Sequence, residues 1–144
     1  MKISTKGRYA MRMMLDLAQH NNGEPARLKD ISARQDISMK YLEQIVSALV
    51  KAGYLRSIRG PAGGYMLTRK PAEYKVGDIL RVMEGSLAPV ECLTTPENPC
   101  PRSENCTTLK LWKELYQSIT STVDKYTLQD LLEWSEAGVN NFVI

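Results

Sequence analysis

Histidine is scarce in this sequence of 144 residues, where His20 is the single example. No nucleophile–base pair can be assembled from the motif spacings, and no nucleotide-binding fingerprint is present. The chain is therefore not expected to be an enzyme, and we expect no small-molecule substrate.

Long apolar runs are missing as well. No window approaches the eighteen apolar residues of a membrane-spanning helix, and the first eight residues lack the apolar segment of a signal peptide. These absences predict a soluble cytoplasmic protein with no membrane partner. The composition is globular, with 43% hydrophobic and 24% charged residues. The length fits one domain, or a small domain with an appended dimerising element.

The charge is unevenly divided along the chain. Residues 1–70 contain 13 Lys and Arg against 5 Asp and Glu, whereas residues 71–144 contain 6 against 11. A basic amino-terminal half is typical of a protein that binds a polyanion, although a solvated charged face has the same composition. Cations at the start of the first predicted helix also suggest a nearby phosphate, because the helix dipole disfavours them there.

Helical periodicity predicts a first helix over residues 2–20, a short helix over residues 28–37 and another over residues 39–52. Ser38 has the capping chemistry to begin the last of these. Two short helices joined by about four residues indicate a helix-turn-helix. The second helix, the predicted recognition helix, has a polar face made of Lys40, Tyr41, Glu43, Gln44 and Ser47.

A β-hairpin directly after a recognition helix is a wing. Residues 54–59 and 64–68 can pair as antiparallel strands, and the glycine-rich residues 60–64 supply the turn. The turn by itself fits any ordinary hairpin. The order of the elements, together with Arg56, Arg59 and Arg69, predicts that this wing binds DNA.

After a helix predicted within residues 71–86, apolar residues recur every three or four positions over residues 103–125. Little chain remains to cover this stripe. We therefore expect the same helix of a second copy to cover it in a homodimer, and packing on its own amino-terminal domain is the alternative.

Three cysteines, Cys92, Cys100 and Cys106, lie in one proline-containing segment without helical or strand periodicity. Their odd number argues against a disulfide framework, and free structural cysteines are usually buried in regular elements. Their spacing favours a metal or cluster site over spare thiols.

The predicted fold is mainly α with a small β-hairpin: a winged helix-turn-helix domain plus a long dimerisation helix. The winged domain covers residues 1–85, and the cysteine loop covers residues 86–106. The dimerisation helix covers residues 103–125, and a short helix, predicted over residues 127–134, and a tail complete residues 126–144.

Several local sequences resemble the IscR/NsrR/CymR family of bacterial winged-helix transcriptional regulators. They are Lys6-Gly7-Arg8-Tyr9-Ala10, Tyr41-Leu42-Glu43-Gln44, Ser57-Ile58-Arg59-Gly60-Pro61 and Gly63-Gly64-Tyr65, followed by the cysteine loop and a long helix. The similarity covers residues 1 to about 132 and is strongest to the iron–sulfur members. It implies a dimer with crossed dimerisation helices and a cluster held by the loop, 2Fe–2S rather than 4Fe–4S. It also implies control of cluster-assembly genes.

The resemblance implies that Glu43 and Gln44 face bases in the major groove of double-stranded operator DNA, while Arg59 enters a minor groove. Those roles suit the side chains, because glutamine pairs with adenine, glutamate accepts from cytosine and arginine fits a narrow groove. The complete set of expected DNA-binding residues is Lys6, Ser38, Lys40, Tyr41, Glu43, Gln44, Ser47, Arg56, Ser57, Arg59, Gly60 and Gly64.

The fourth cluster ligand departs from the family pattern. Leu109 stands where iron–sulfur members have a histidine, and Arg8 stands where another branch has a carboxylate. Remaining candidates are solvent, an exogenous thiol, or side chains of the loop and the residues after it: Glu91, Glu97, Glu104, Thr107 and Thr108. Alternative functions are a nitric-oxide or redox-sensing repressor and a zinc-stabilised DNA-binding protein.

Overall fold

The computed structural model describes residues 2–142 and is mainly helical, with one two-stranded antiparallel hairpin, as predicted. Its helices are α1 (Thr5–Gln19), α2 (Leu28–Gln35), α3 (Met39–Lys51), α4 (Val76–Glu84), α5 (Leu109–Lys125) and α6 (Leu128–Phe142), and its strands are β1 (Leu55–Ile58) and β2 (Gly64–Leu67). Single 3-10 turns occur at Pro71–Glu73, Glu91–Leu93 and Ser103–Asn105. None of the helices within these residues is long and apolar enough to cross a bilayer.

The core lies between α1, α2 and α3 and is closed by α4 and α6. Residues three or four positions apart point inward from each helix, as expected of amphipathic helices. Each fully buried aliphatic side chain contributes roughly 1.5–3 kcal/mol. The innermost side chains, none more than 1% exposed, include Met13, Met14, Ile31, Leu42, Ile45, Leu49, Tyr74, Ile79 and Leu128.

The recognition helix begins as predicted. Ser38 is the N-cap of α3, and its hydroxyl accepts a hydrogen bond from the Tyr41 N–H at 3.2 Å. The helix gives way to a turn at Gly53, whose φ of 82° is readily adopted by glycine. The chain then enters β1 at Leu55, so the hairpin follows the recognition helix directly.

A buried carboxylate attaches α2 to α1. The Asp16 side chain is fully buried and accepts hydrogen bonds from Arg34 Nη2 at 2.7 Å, Arg34 Nε at 3.0 Å and Gln35 Nε2 at 2.9 Å. Burial raises the pKa of Asp16, but the hydrogen bonds from Arg34 and Gln35 outweigh burial and leave the pKa below its ordinary value. Asp16 is therefore ionised at neutral pH and fixes the first helix of the helix-turn-helix.

The carboxyl-terminal helices are attached to the winged domain through α4. Arg81 donates to both oxygens of Asp124 on α5, at 2.8 and 2.9 Å. A β-bridge joins Lys75, just before α4, to Thr127, just before α6. α6 also packs against α1, so the end of α5 is fixed relative to the DNA-reading half.

Two predicted helix boundaries were wrong by more than one helical turn. α5 begins at Leu109 rather than residue 103. Cys106 has an extended backbone (φ −86°, ψ 103°), and this residue separates α5 from the 3-10 turn before it. α6 continues to Phe142, past the end predicted at residue 134. Residues 143 and 144 of the predicted tail lie outside the described part of the chain.

Candidate nucleic-acid interface and cysteine loop

α3 exposes one polar face to solvent. Lys40, Glu43, Gln44 and Ser47 are exposed, whereas the intervening Leu42, Ile45 and Val46 are buried. Positions three, four and seven residues apart share one side of a helix. The four polar side chains therefore form one exposed surface of hydrogen-bond donors and acceptors.

Tyr41 connects this surface to α1. Its ring is half-buried and meets the Tyr9 ring edge-on, with ring centres 5.4 Å apart. The Arg12 guanidinium lies over the Tyr9 ring, 5.3 Å from its centre. This stack fixes the start of the recognition helix against α1.

The amino terminus of α1 has an internal anion. Glu84 Oε1 accepts hydrogen bonds from the Ser4 N–H at 3.0 Å and the Ser4 hydroxyl at 2.6 Å, and Ser4 caps α1. A Cβ on Gly7 would lie 2.2 Å from the same oxygen, so glycine allows this approach. A carboxylate of the protein therefore already lies at the amino terminus of α1, and the cations at this end, including the half-buried Lys6, do not by themselves require an external phosphate.

The wing consists of β1, β2 and the turn between them. Its strands pair in the register Leu55 with Leu67 and Ile58 with Gly64. The exposed side chains are those expected, Arg56, Ser57 and Arg59. Gly60 is exposed with φ at 108°, a conformation that other residues rarely adopt.

A short extended segment before α2 supports the wing. Ala26 and Tyr65 exchange backbone hydrogen bonds of 2.9 and 2.8 Å, and Arg27 Nη2 donates to the Pro61 carbonyl at 2.7 Å. A Cβ on Gly64 would lie 2.3 Å from the Ala26 carbonyl oxygen. Gly64 is therefore required for packing, while its expected role in DNA contact stays a prediction.

Sequence reasoning missed Ala26, Arg27 and Tyr74, which hold the wing in place. Tyr74 is buried beneath the open end of the hairpin and hydrogen-bonds to it through its hydroxyl. The partners are 5 to 39 residues distant in sequence, and no helix or strand periodicity connects them. Of the twelve expected DNA-binding residues, Lys6, Tyr41 and Gly64 are half-buried and the other nine are exposed.

All three cysteines are half-buried and free. Cys92 lies in the 3-10 turn Glu91–Leu93, and the Cys100 N–H donates to Asn98 Oδ1 at 2.9 Å. Cys106 Sγ is 3.4 Å from the Thr108 hydroxyl. The hydrogen bond from Thr108 lowers the pKa of Cys106, assisted by backbone N–H groups and by the charge of Arg102, so its thiolate is favoured.

The donor chemistry of this loop fits an iron–sulfur cluster, because thiolates are the usual protein ligands of such clusters. Asn98 Nδ2, beside Cys100, is buried without a hydrogen-bond partner among the described residues. In the conformation described, however, no three His, Cys, Asp or Glu side chains of residues 2–142 come together as a metal site. Leu109, at the position of the family histidine, is 8% exposed and cannot be a ligand.

A helix-turn-helix followed by a basic wing and two carboxyl-terminal helices defines a winged-helix DNA-binding regulator. Residues 3–134 match the Rrf2 family, described as "Iron-dependent Transcriptional regulator". The chain belongs to this family, and as such it is a transcriptional regulator.

Similar proteins agree on this class. The chain is 44% identical over 133 residues to the protein rrf2 of Nitratidesulfovibrio vulgaris, covering 92% of this chain and 87% of that protein. The structure of CymR, the global cysteine regulator of B. subtilis, superposes with a TM-score of 0.76 at 40% identity, covering 93% of this chain and 98% of the other. The structure of IscR of T. potens superposes with a TM-score of 0.78 at 41% identity, covering 96% of this chain and 90% of the other. Other relatives, named CymR and IscR, are described as HTH-type transcriptional regulators, which agrees with the sequence-based expectation of a regulator rather than an enzyme.

Proposed function

We propose that the chain is a homodimeric, iron–sulfur-sensing transcriptional regulator that acts on operator DNA in the cytoplasm and controls cluster-assembly genes. The single observation that carries the sensing role is the cysteine loop, which contains three free thiols between α4 and α5 in a member of an iron-dependent family. Cys92, Cys100 and Cys106 would hold the cluster, 2Fe–2S in preference to 4Fe–4S. When bound, it would supply a site that gains or loses iron according to cellular supply.

DNA reading is assigned to the exposed face of α3 and to the wing. Glu43 and Gln44 have the acceptors and donors to pair with cytosine and adenine edges in the major groove. Arg59 stands at the exposed turn of the wing, where a guanidinium suits a narrow minor groove. Ser38, Lys40, Tyr41 and Ser57 would contact phosphates and set the register.

The dimer is assigned to α5. Its apolar residues Trp112, Leu115, Ile119 and Val123 remain partly exposed, and Leu111 is 56% exposed. A second copy of α5 would cover them, and the resulting two-fold axis would present two wings and two recognition helices to a palindromic site.

Both ends of the cysteine loop lead to contacts with the DNA-reading half. At the amino-terminal end, Glu84 bonds Ser4 at the start of α1. At the other end the loop leads into α5, whose far end is held to α4 through Asp124 and Arg81. A change in the loop on cluster binding therefore has two physical routes to the DNA-reading surface, which is the requirement for coupling between the sites.

The test is an anaerobic purification followed by a visible absorption spectrum and by iron, sulfide and zinc analysis of the same sample. A brown protein with matched iron and sulfide supports the proposal, and its bands distinguish 2Fe–2S from 4Fe–4S. A colourless protein with stoichiometric zinc would replace sensing by a structural zinc site. Release of DNA by nitric oxide from a cluster-loaded protein would instead identify a nitric-oxide sensor.

A further inference from the structure

The open end of the wing is closed by one buried hydroxyl. Tyr74 is 1% exposed. Its hydroxyl accepts hydrogen bonds from the backbone N–H groups of Thr68 at 2.9 Å and Arg69 at 3.1 Å, and it donates to the Tyr54 carbonyl at 2.8 Å. A phenol has one donor and two acceptor sites, so its full capacity is used.

These partners come from both arms of the hairpin. Tyr54 precedes β1, whereas Thr68 and Arg69 follow β2. The Arg69 guanidinium lies over both rings, 4.9 Å from the centre of Tyr54 and 5.7 Å from that of Tyr74. The two rings meet edge-to-face at 5.8 Å. The base of the wing is thus a small, ordered cluster centred on Tyr74.

The backbone of Tyr74 extends this cluster to the carboxyl-terminal helices. The Tyr74 carbonyl accepts from the Leu128 N–H at 2.9 Å, and the Val76 N–H donates to the Tyr126 carbonyl at 3.0 Å. The wing, the start of α4 and the start of α6 therefore meet at a single residue.

We propose that Tyr74 is a positioning residue for DNA reading, whose hydroxyl holds the wing at the angle at which Arg59 enters the minor groove. The proposal rests on the DNA-reading role of the wing proposed above. A two-stranded hairpin with strands of four residues has little stability of its own. Its orientation therefore depends on its attachments, which include the Ala26–Tyr65 pairing, the hydrogen bond from Arg27 to Pro61 and the Tyr74 hydroxyl.

The test compares Tyr74→Phe with Tyr54→Phe. Both changes remove one hydroxyl and keep the ring, but the Tyr54 hydroxyl has no hydrogen-bond partner within residues 2–142. Binding is measured by fluorescence anisotropy at fixed salt, with a duplex that the wild-type protein has selected from a random-sequence pool. Thermal unfolding curves of both variants are used to choose an assay temperature at which both are folded.

Tyr74→Phe is expected to weaken binding about tenfold, within the range of a single lost base contact, and Tyr54→Phe to change it less than about twofold. In an Arg59→Ala background, Tyr74→Phe should cause little further loss, because both changes remove the same wing contact. Hydroxyl-radical footprinting, which reports on the sugars along the minor groove, should show the protection by the wing lost, and protection of guanine N7 from methylation in the major groove should be kept. Without DNA, amide exchange at Thr68 and Arg69 should rise in Tyr74→Phe only.

Wild-type affinity in folded Tyr74→Phe protein would overturn the proposal, as would a loss that adds fully to that of Arg59→Ala. Unchanged amide exchange in the wing would do the same. A wild-type protein that selects no sequence would overturn the proposed function and this inference together. The selection is done before any variant is measured, so this failure is distinguishable from a failure of the inference alone.

Discussion

Asp16→Asn tests the role of the buried carboxylate between α1 and α2. The substitution keeps the size of the side chain but removes the charge that Arg34 and Gln35 contact at 2.7 to 3.0 Å. Breaking a buried ion pair usually costs about 3–5 kcal/mol. The Arg34 side chain is 33% exposed and can return to water, so we expect a loss of about 2–3 kcal/mol in the free energy of unfolding.

The loss should depend on pH with a definite sign. Because the pKa of Asp16 is lowered in the folded protein, its contribution is fully present above the ordinary carboxyl pKa of about 3.9. It disappears as the pH falls from that value through the folded-state pKa. The difference in stability between wild type and Asp16→Asn should therefore be constant near neutrality and shrink below about pH 4.

Urea denaturation monitored by circular dichroism at several pH values measures both effects. Asp36→Asn is the matched control, because Asp36 is exposed and its φ of 54° suits asparagine as well as aspartate. The control should unfold like wild type at pH 7. Equal stability of Asp16→Asn and wild type at pH 7 would refute the reasoning, and so would a difference that grows in acid.

Three further predictions, two of them with a matched control variant, test the wing and the cysteine loop. Arg59→Ala should weaken specific DNA binding by about 1–3 kcal/mol in an anisotropy titration, whereas Lys110→Ala on α5 should not; equal effects would remove the wing from DNA reading. Gly64→Ala forces a Cβ against the Ala26 carbonyl and should lower the free energy of unfolding in urea by about 1–3 kcal/mol. The control Gly138→Ala has open space around the new Cβ and should raise the free energy of unfolding by about 0.5–1 kcal/mol. Alanine at all three loop cysteines should abolish the cluster and leave a folded dimer by size-exclusion chromatography; unfolding of that variant would make the site structural.

The helix-turn-helix and the wing could be predicted because their signals are local. The Ser38 cap, the apolar spacing of α3 and the glycines of the turn lie within a few residues of the structures they specify. The predicted start of α5 was wrong because the apolar stripe fixes a helical face but not the point at which an extended residue, Cys106, interrupts the chain.

The contacts that fix one element against another could not be predicted. Asp16 and Arg34 are 18 residues apart, Ser4 and Glu84 are 80 apart, and Tyr74 meets Tyr54 across 20. The sequence around each of these residues does not indicate its partner, because the contact forms only in the folded chain. The cysteine spacing identified the candidate ligands but not their positions relative to one another, because spacing does not specify how a loop arranges its sulfur atoms.

We propose that the cysteine loop controls DNA binding through its cluster. The most direct measurement is an anaerobic binding titration of cluster-loaded protein and of the same preparation after chelation, at one salt concentration, on duplexes selected by each form. A coupled sensor should show affinities that differ about tenfold or more, a coupling of about 1.4 kcal/mol, on at least one duplex. Equal affinities of the two forms for every selected duplex would contradict the account.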